Sequence, residues 1–208
     1  MKLNVYIKSV FYYNIFGSPE NRAFDFVVIF GIKGENMNPG KLFENNFKAS
    51  VPKNVYYFRI KDSPASFGQD SVATRFSLNN PFDSLLFYES ILFPIELKST
   101  SGTAISIQIQ KKEKSKMIKK HQIEGLTYAN SFDGIEAGFV FDFRTSNKTY
   151  YMSIVGFNLF LSETTKKSIN EKDVIQYDGF IINKHIKQVH YTYDIKEMIN
   201  TIKTGRGE

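Results

Sequence analysis

Apolar and polar positions along this chain change period several times, and each change marks an element. Leu42, Phe43 and Phe47 recur at helical spacing, which predicts a helix from Asn38 or Pro39 to about Ser50, stopped by Pro52. Val55-Tyr56-Tyr57-Phe58-Arg59-Ile60 reads as a strand. Asp62 to Pro81 is polar and carries Pro64, Gly68, Ser71 and Asn79-Asn80, the marks of a long loop. Loops of that length in compact domains are uncommon unless they are functional. Phe82 to Tyr88 and Ile91 to Lys98 predict a hairpin turning at Glu89-Ser90, with Ser99 to Gly102 as the next turn. Lys111 to Ser131 reads as a helix, with Met117, Ile118, His121, Leu126 and Ala129 on one mostly apolar face. Ala137 to Arg144 and Thr149 to Gly156 predict a second hairpin around Ser146-Asn147. Residues 157–190 are mixed in pattern, and Asp194 to Lys203 reads as a last helix.

The resulting order, α-β-β-β-α-β-β, predicts an α/β fold with a mixed central β-sheet flanked by helices. Residues 1–36 read differently from the rest: they are aromatic-rich, hold one strand-like run from Phe24 to Ile32, and end in Gly31, Gly34 and Asn36. They form an N-terminal extension, and a single domain is expected over 37–208 with the loop at about 62–80. No internal repeat or low-complexity segment is present.

Composition narrows the chemistry. The 208 residues include 20 Phe and 12 Tyr but no Trp, which favours strands. Cys is absent, so disulfides, thiolate metal sites and cysteine nucleophiles are excluded. With His only at His121, His185 and His190, any metal is expected on carboxylates. The net charge of +6 suits a polyanionic partner, and equally a merely lysine-rich surface. No apolar run is long enough to span a bilayer and no signal-peptide pattern is evident, so a cytoplasmic protein is the default expectation.

The most informative residues are Asp83 and Glu96-Leu97-Lys98. Side chains alternate along a strand, so Glu96 and Lys98 share a face while Leu97 points into the core. Two carboxylates can hold a hard divalent cation, and a neighbouring lysine can orient water and offset charge on a scissile phosphate. Alone, Glu-x-Lys should occur about once by chance in such a chain. The apolar run Ile91-Leu92-Phe93-Pro94-Ile95 argues for a central strand, where charged residues need a reason. Antiparallel arms would also bring Asp83 near Glu96.

From Met37 onward the chain resembles the RecU-like Holliday junction resolvases, particularly phage-encoded relatives, within the PD-(D/E)xK nucleases. The matching stretches are Gly40-Lys41-Leu42-Phe43-Glu44, Asn80-Pro81-Phe82-Asp83, Ile95-Glu96-Leu97-Lys98-Ser99-Thr100 and Lys120-His121-Gln122-Ile123-Glu124-Gly125-Leu126. Ala137-Gly138-Phe139-Val140-Phe141 and Lys167-Ser168-Ile169-Asn170 match as well. The resemblance implies a restriction-endonuclease-like core and a homodimer that cleaves branched DNA with Mg2+, Mn2+ being an alternative. It implies Asp83 and Glu96 as metal ligands, joined by the Leu97 carbonyl, and Lys98 as the catalytic lysine. Glu44 and Gln122 match accessory polar positions of the site. The family's stalk, inserted before the metal-binding aspartate, corresponds to Asp62 to Asn80, where Arg75 is the candidate junction contact. Because the resemblance begins at Met37, that residue is a candidate start. Recombination proteins are expected among the partners.

Several residues carry a second reading. Lys111, Lys112, Lys114, Lys116, Lys119 and Lys120 are candidate phosphate contacts, or else a solvated helix face. Ser99, Thr100, Ser101 and Thr103 either donate to a phosphate or form a turn. His121 reads as a packed core histidine rather than a ligand. The expected activity is metal-dependent resolution of four-way DNA junctions. Its alternatives are a restriction-type endonuclease and a non-catalytic DNA-binding or scaffolding protein on the same fold.

Overall fold

A computed structural model describes residues 38–60, 80–109, 113, 115–188 and 190–205. The N-terminal extension at 1–36 and most of the 62–80 loop, Arg75 included, lie outside the described residues.

The first helix, α1 (Pro39–Ser50), begins as its sequence predicts: Asn38 accepts the Gly40 N–H at 2.9 Å and Pro39 opens the first turn. It stops because Val51 precedes Pro52 and is held extended, at ψ 125°. The chain continues through β1 (Tyr56–Arg59), β2 (Ser84–Tyr88), β3 (Ile91–Thr100), β4 (Ala104–Ser106), α2 (Lys120–Ala129), β5 (Gly138–Phe143) and β6 (Lys148–Ser153). Then come α3 (Ile154–Glu163), β7 (Ser168–Asn170), α4 (Glu171–Gln176), β8 (Phe180–Ile181), β9 (Lys184–Lys187), β10 (His190–Tyr193) and α5 (Ile195–Lys203).

Six strands form the central sheet in the order β1-β2-β3-β5-β6-β8. Only the β3–β5 pair is parallel, so the sheet is mixed, as expected. β2 and β3 turn through Glu89 and Ser90 at positive φ (46° and 67°), the backbone of a tight two-residue hairpin. The parallel connection from β3 to β5 has to cross over, and it carries α2 onto one face of the sheet.

Alternation along β3, β5 and β6 divides the interior into two cores. Phe139, Phe141, Phe143, Tyr150 and Met152 face α2 and α3. Ile95, Leu97, Val140 and Tyr151 face α1 and α5, where Phe43, Phe47, Met198 and Ile199 meet them. Glu96 and Lys98 pair with Phe139 and Phe141 in register, which puts both on the α2 face.

Three expectations need correction. β3 runs on through Thr100, because the register with β5 continues to Thr100↔Phe143, so the turn starts at Ser101 rather than Ser99. The helix expected from Lys111 starts only at Lys120. Ile118 instead bridges Ile107 in parallel, and its N–H donates to the Ser106 carbonyl at 2.9 Å, so tertiary pairing overrides the helical period. The strand expected to Gly156 ends at Ser153, whose side chain accepts the Gly156 N–H and caps α3.

A second polar centre lies in the α1/α5 core. Asp142 accepts from Ser99 Oγ and Thr149 Oγ1, both at 2.9 Å, and meets Lys184 Nζ at 3.1 Å. Lys184 also lies over the Tyr191 ring, 4.6 Å from its centroid. This ties the β9–β10 hairpin to the sheet.

Candidate active site

β3 outruns its neighbour β2, and the site sits at that step. β2 begins at Ser84, opposite Ile95, and the Asp83 N–H just before it still reaches the Ile95 carbonyl at 3.2 Å. Beyond that point the β2 side of β3 has no strand partner among the described residues. The Asp83 side chain takes its place: Oδ2 accepts the Leu97 N–H at 2.9 Å. The N–H and C=O of one strand residue point to the same side, so the Leu97 carbonyl also faces the Asp83 side of β3.

Glu96 is completely buried. Its Oε1 accepts from Lys98 Nζ and from Gln122 Nε2, both at 2.5 Å. Its Oε2 is buried without a hydrogen-bond partner. Burial pushes the Glu96 carboxyl up to about 8; Lys98 pulls it down and Asp83 pushes it further up. Two carboxyl groups therefore meet at this step, Glu96 buried and Asp83 half-buried, with Lys98 paired to Glu96. Lys98 keeps 15% of its side chain exposed.

The sequence-predicted residues divide by place. Asp83, Glu96, Leu97, Lys98 and Gln122 meet at this step. Gln122 is fixed from behind, since its Oε1 accepts the Lys119 N–H at 2.9 Å at the start of α2. Glu44 lies on α1, with its carboxylate 2.5 Å from Arg59. It still shares an electrostatic neighbourhood with Asp83, because both raise the Tyr57 hydroxyl pKa, to which burial contributes most. Lys116 and Lys119 precede α2 instead of lying on it, and Lys120 is exposed and pairs with Glu124 at 3.6 Å. Lys111, Lys112 and Lys114 fall outside the described residues. Ser99 Oγ donates to Asp142 on the far face, and Thr100 Oγ1 accepts the Gly102 N–H at 3.0 Å, so both serve the fold. Ser101 and Thr103 lie exposed in the turn.

His121 differs from its expected place in the core. It is half-exposed beside the site, and its pKa is lowered first by burial, then by Lys98 and Lys119. Position 121 fits the apolar stripe only while the helix is drawn from Lys111. Once α2 starts at Lys120, His121 lies in its first turn, next to Gln122.

The corner suits a hard divalent cation. A buried carboxylate oxygen without a donor, a second carboxylate and a strand carbonyl make an all-oxygen set. Among the described residues no group of three or more His, Cys, Asp or Glu could hold a metal, so waters would complete such a shell. No helix among the described residues is long and apolar enough to cross a membrane.

No protein-family model matches the sequence. The chain is 32% identical over 174 residues to the SPbeta prophage-derived uncharacterized protein YotM of Bacillus subtilis (strain 168), covering 77% of this chain and 85% of that protein. Among solved structures it is similar to Archaeoglobus fulgidus Hjc, a Holliday junction resolvase from an archaeal hyperthermophile. That likeness has 16% identity and a TM-score of 0.37, and covers 62% of this chain and 83% of the other.

Proposed function

The chain belongs to the family of the Bacillus subtilis prophage protein YotM, and we propose that it is a metal-dependent endodeoxyribonuclease of the RecU-like kind that resolves four-way DNA junctions. The observation that carries this reading is the Glu96 carboxyl, pushed up by burial and then by Asp83 beside it, with no donor to its buried Oε2 and with Lys98 on the same face. A carboxylate in that state costs stability unless a proton or a cation completes it. Asp83, Glu96 and the Leu97 carbonyl would hold Mg2+ or Mn2+, which supplies charge neutralisation at a scissile phosphate and a more acidic bound water. Lys98 then orients the attacking water, and Gln122 keeps Glu96 Oε1 turned toward it. Glu44, paired with Arg59, stays an accessory residue.

The resemblance carried by the stretches from Gly40 to Leu126 is to junction resolvases, and it favours branched DNA over sequence-specific duplex. Junction, flap and linear duplex, compared in parallel with Mg2+ or Mn2+, test that choice. Preferential cutting of the four-way substrate is expected, whereas site-specific cutting of linear duplex alone would indicate a restriction-type enzyme. Binding without cutting by the wild-type chain would indicate a scaffold.

Cutting two opposed strands requires two sites related by a twofold axis, so the working form is a homodimer. Tyr56, Phe58 and Phe87 support this: they stand exposed on one face of β1 and β2, at the sheet's edge. Phe58→Glu is expected to shift the protein from dimer to monomer in sedimentation.

On this reading Lys116 and Lys119, just before α2, and Lys120, at its start, contact phosphates. Neutralising all three should weaken linear and branched DNA alike and flatten the salt dependence by about one slope unit per cation in contact. An unchanged slope would return them to the solvated surface.

A further inference from the structure

α2 touches the Glu96 carboxylate directly, and it touches the Asn80–Pro81 segment that leads to Asp83. Gln122 donates to Glu96 Oε1 at 2.5 Å. His121, the residue before it, hydrogen-bonds to the main chain of Asn80. That bond favours the charged ring, so the acceptor is the Asn80 carbonyl. Four residues further along the helix is Gly125, on the same face as His121. A Cβ built there would lie 2.3 Å from Pro81 Cβ and 3.0 Å from Pro81 Cα. The helix backbone therefore lies flush against Pro81, an approach only glycine allows. Asn80 and Pro81 lead directly into Asp83, whose Oδ2 accepts the Leu97 N–H at 2.9 Å.

We propose that His121 and Gly125 act as a positioning clamp, setting where the Asp83 carboxylate stands relative to Glu96 by holding the Asn80–Pro81 main chain against α2. One helical turn then fixes the spacing of the two carboxylates: Gln122 holds Glu96, and the His121–Gly125 face holds the approach to Asp83. A small divalent cation tolerates little variation in that spacing. The proposal rests on the metal-site reading given above, but the clamp itself can be observed without metal.

The direction of one effect is diagnostic. Gly to Ala inside a helix ordinarily stabilises it. Here the added methyl meets Pro81, so the gain is lost where it would displace the segment leading to Asp83. The probe is the Leu97 amide, whose hydrogen bond ends on Asp83 and therefore reports that carboxylate's position. Hydrogen exchange is followed by NMR on the full-length, metal-free chain for wild type, His121→Ala, His121→Gln and Gly125→Ala.

In His121→Ala and Gly125→Ala, Leu97 protection should fall about tenfold or more, while Val140, deep in the same sheet, is unchanged. His121→Gln, which can still donate to a carbonyl, should recover part of the loss. Manganese titration of the same samples should then show affinity weakened about 10- to 100-fold in the two disruptive variants. Unchanged Leu97 protection in both would overturn the clamp, as would equal loss at Leu97 and Val140, which signals general destabilisation. Wild type that binds no Mn2+ would instead sink the metal reading, with the exchange data still deciding the clamp.

Discussion

Glu96→Gln should abolish DNA cleavage and at the same time make the metal-free protein more stable than wild type at alkaline pH. The two effects share one cause. The Glu96 carboxyl is pushed from 4.5 to about 8 because it is buried, with Asp83 against it. The folded state therefore holds a proton that the unfolded chain releases at lower pH. Glu96 contributes stability that is fully present below about 4.5 and is lost as pH rises through about 8. Wild type without metal should thus melt at progressively lower temperature across that window. Glu96→Gln is neutral throughout and should show a flatter profile, with the gap widening toward pH 9. On the proposed metal reading Mn2+ takes the ionised form, so it should lift the wild-type melting temperature most at the alkaline end and leave the variant nearly unmoved. Cleavage should fall by more than the about 10²- to 10³-fold lost when a single preorganised electrostatic group is removed. Thermal melts at several pH values, with and without Mn2+, check this. Parallel pH profiles for the two proteins would contradict it.

The largest stability effect is expected far from that corner. Asp142 and Lys184 are both nearly buried, and their partners satisfy each other: Ser99, Thr149 and Lys184 all donate to Asp142, and Lys184 also donates to Thr149 at 3.0 Å. Asp142→Ala leaves the Lys184 ammonium in the core without its counter-charge, which should cost about 3–5 kcal/mol. Replacing both residues with apolar ones, Asp142→Leu with Lys184→Met, should cost less than the single change, because no charge remains buried. Urea unfolding of the three proteins decides it. A single variant within about 1 kcal/mol of wild type would show that water reaches this network.

Local signals were enough to find part of the fold. Asn38-Pro39 starts α1, Pro52 ends it, and the change to period two finds β2 and β3 on either side of Glu89-Ser90. The same alternation puts Glu96 and Lys98 on one face before any contact is known. Elements that depend on distant partners were not legible. Ile118 pairs with Ile107 rather than continuing a helix, and that choice is made by the edge beside β4. α3 escaped because it is apolar on every side: Phe157 and Phe160 are buried while Val155 and Leu159 remain exposed, so no stripe stands out. Within the candidate site, Glu-x-Lys alone is expected by chance, and it was the resemblance that joined Asp83 to Glu96 and Lys98. The orphaned Glu96 oxygen, and the contact of His121 with Asn80, exist only once β3, α2 and the Asn80–Asp83 turn are brought together.

The most direct measurement is cleavage of a labelled four-way junction by wild type, Asp83→Asn and Lys98→Ala, each with Mg2+ and with chelator, alongside circular dichroism to confirm folding. Cleavage should occur only in wild type with Mg2+. Lys98→Ala should retain metal binding yet lose about 10²- to 10³-fold in rate, and Asp83→Asn should lose both. If all three folded proteins cut the junction equally, or if chelator leaves wild-type cutting intact, the corner formed by Asp83, Glu96 and Lys98 is not the catalytic centre.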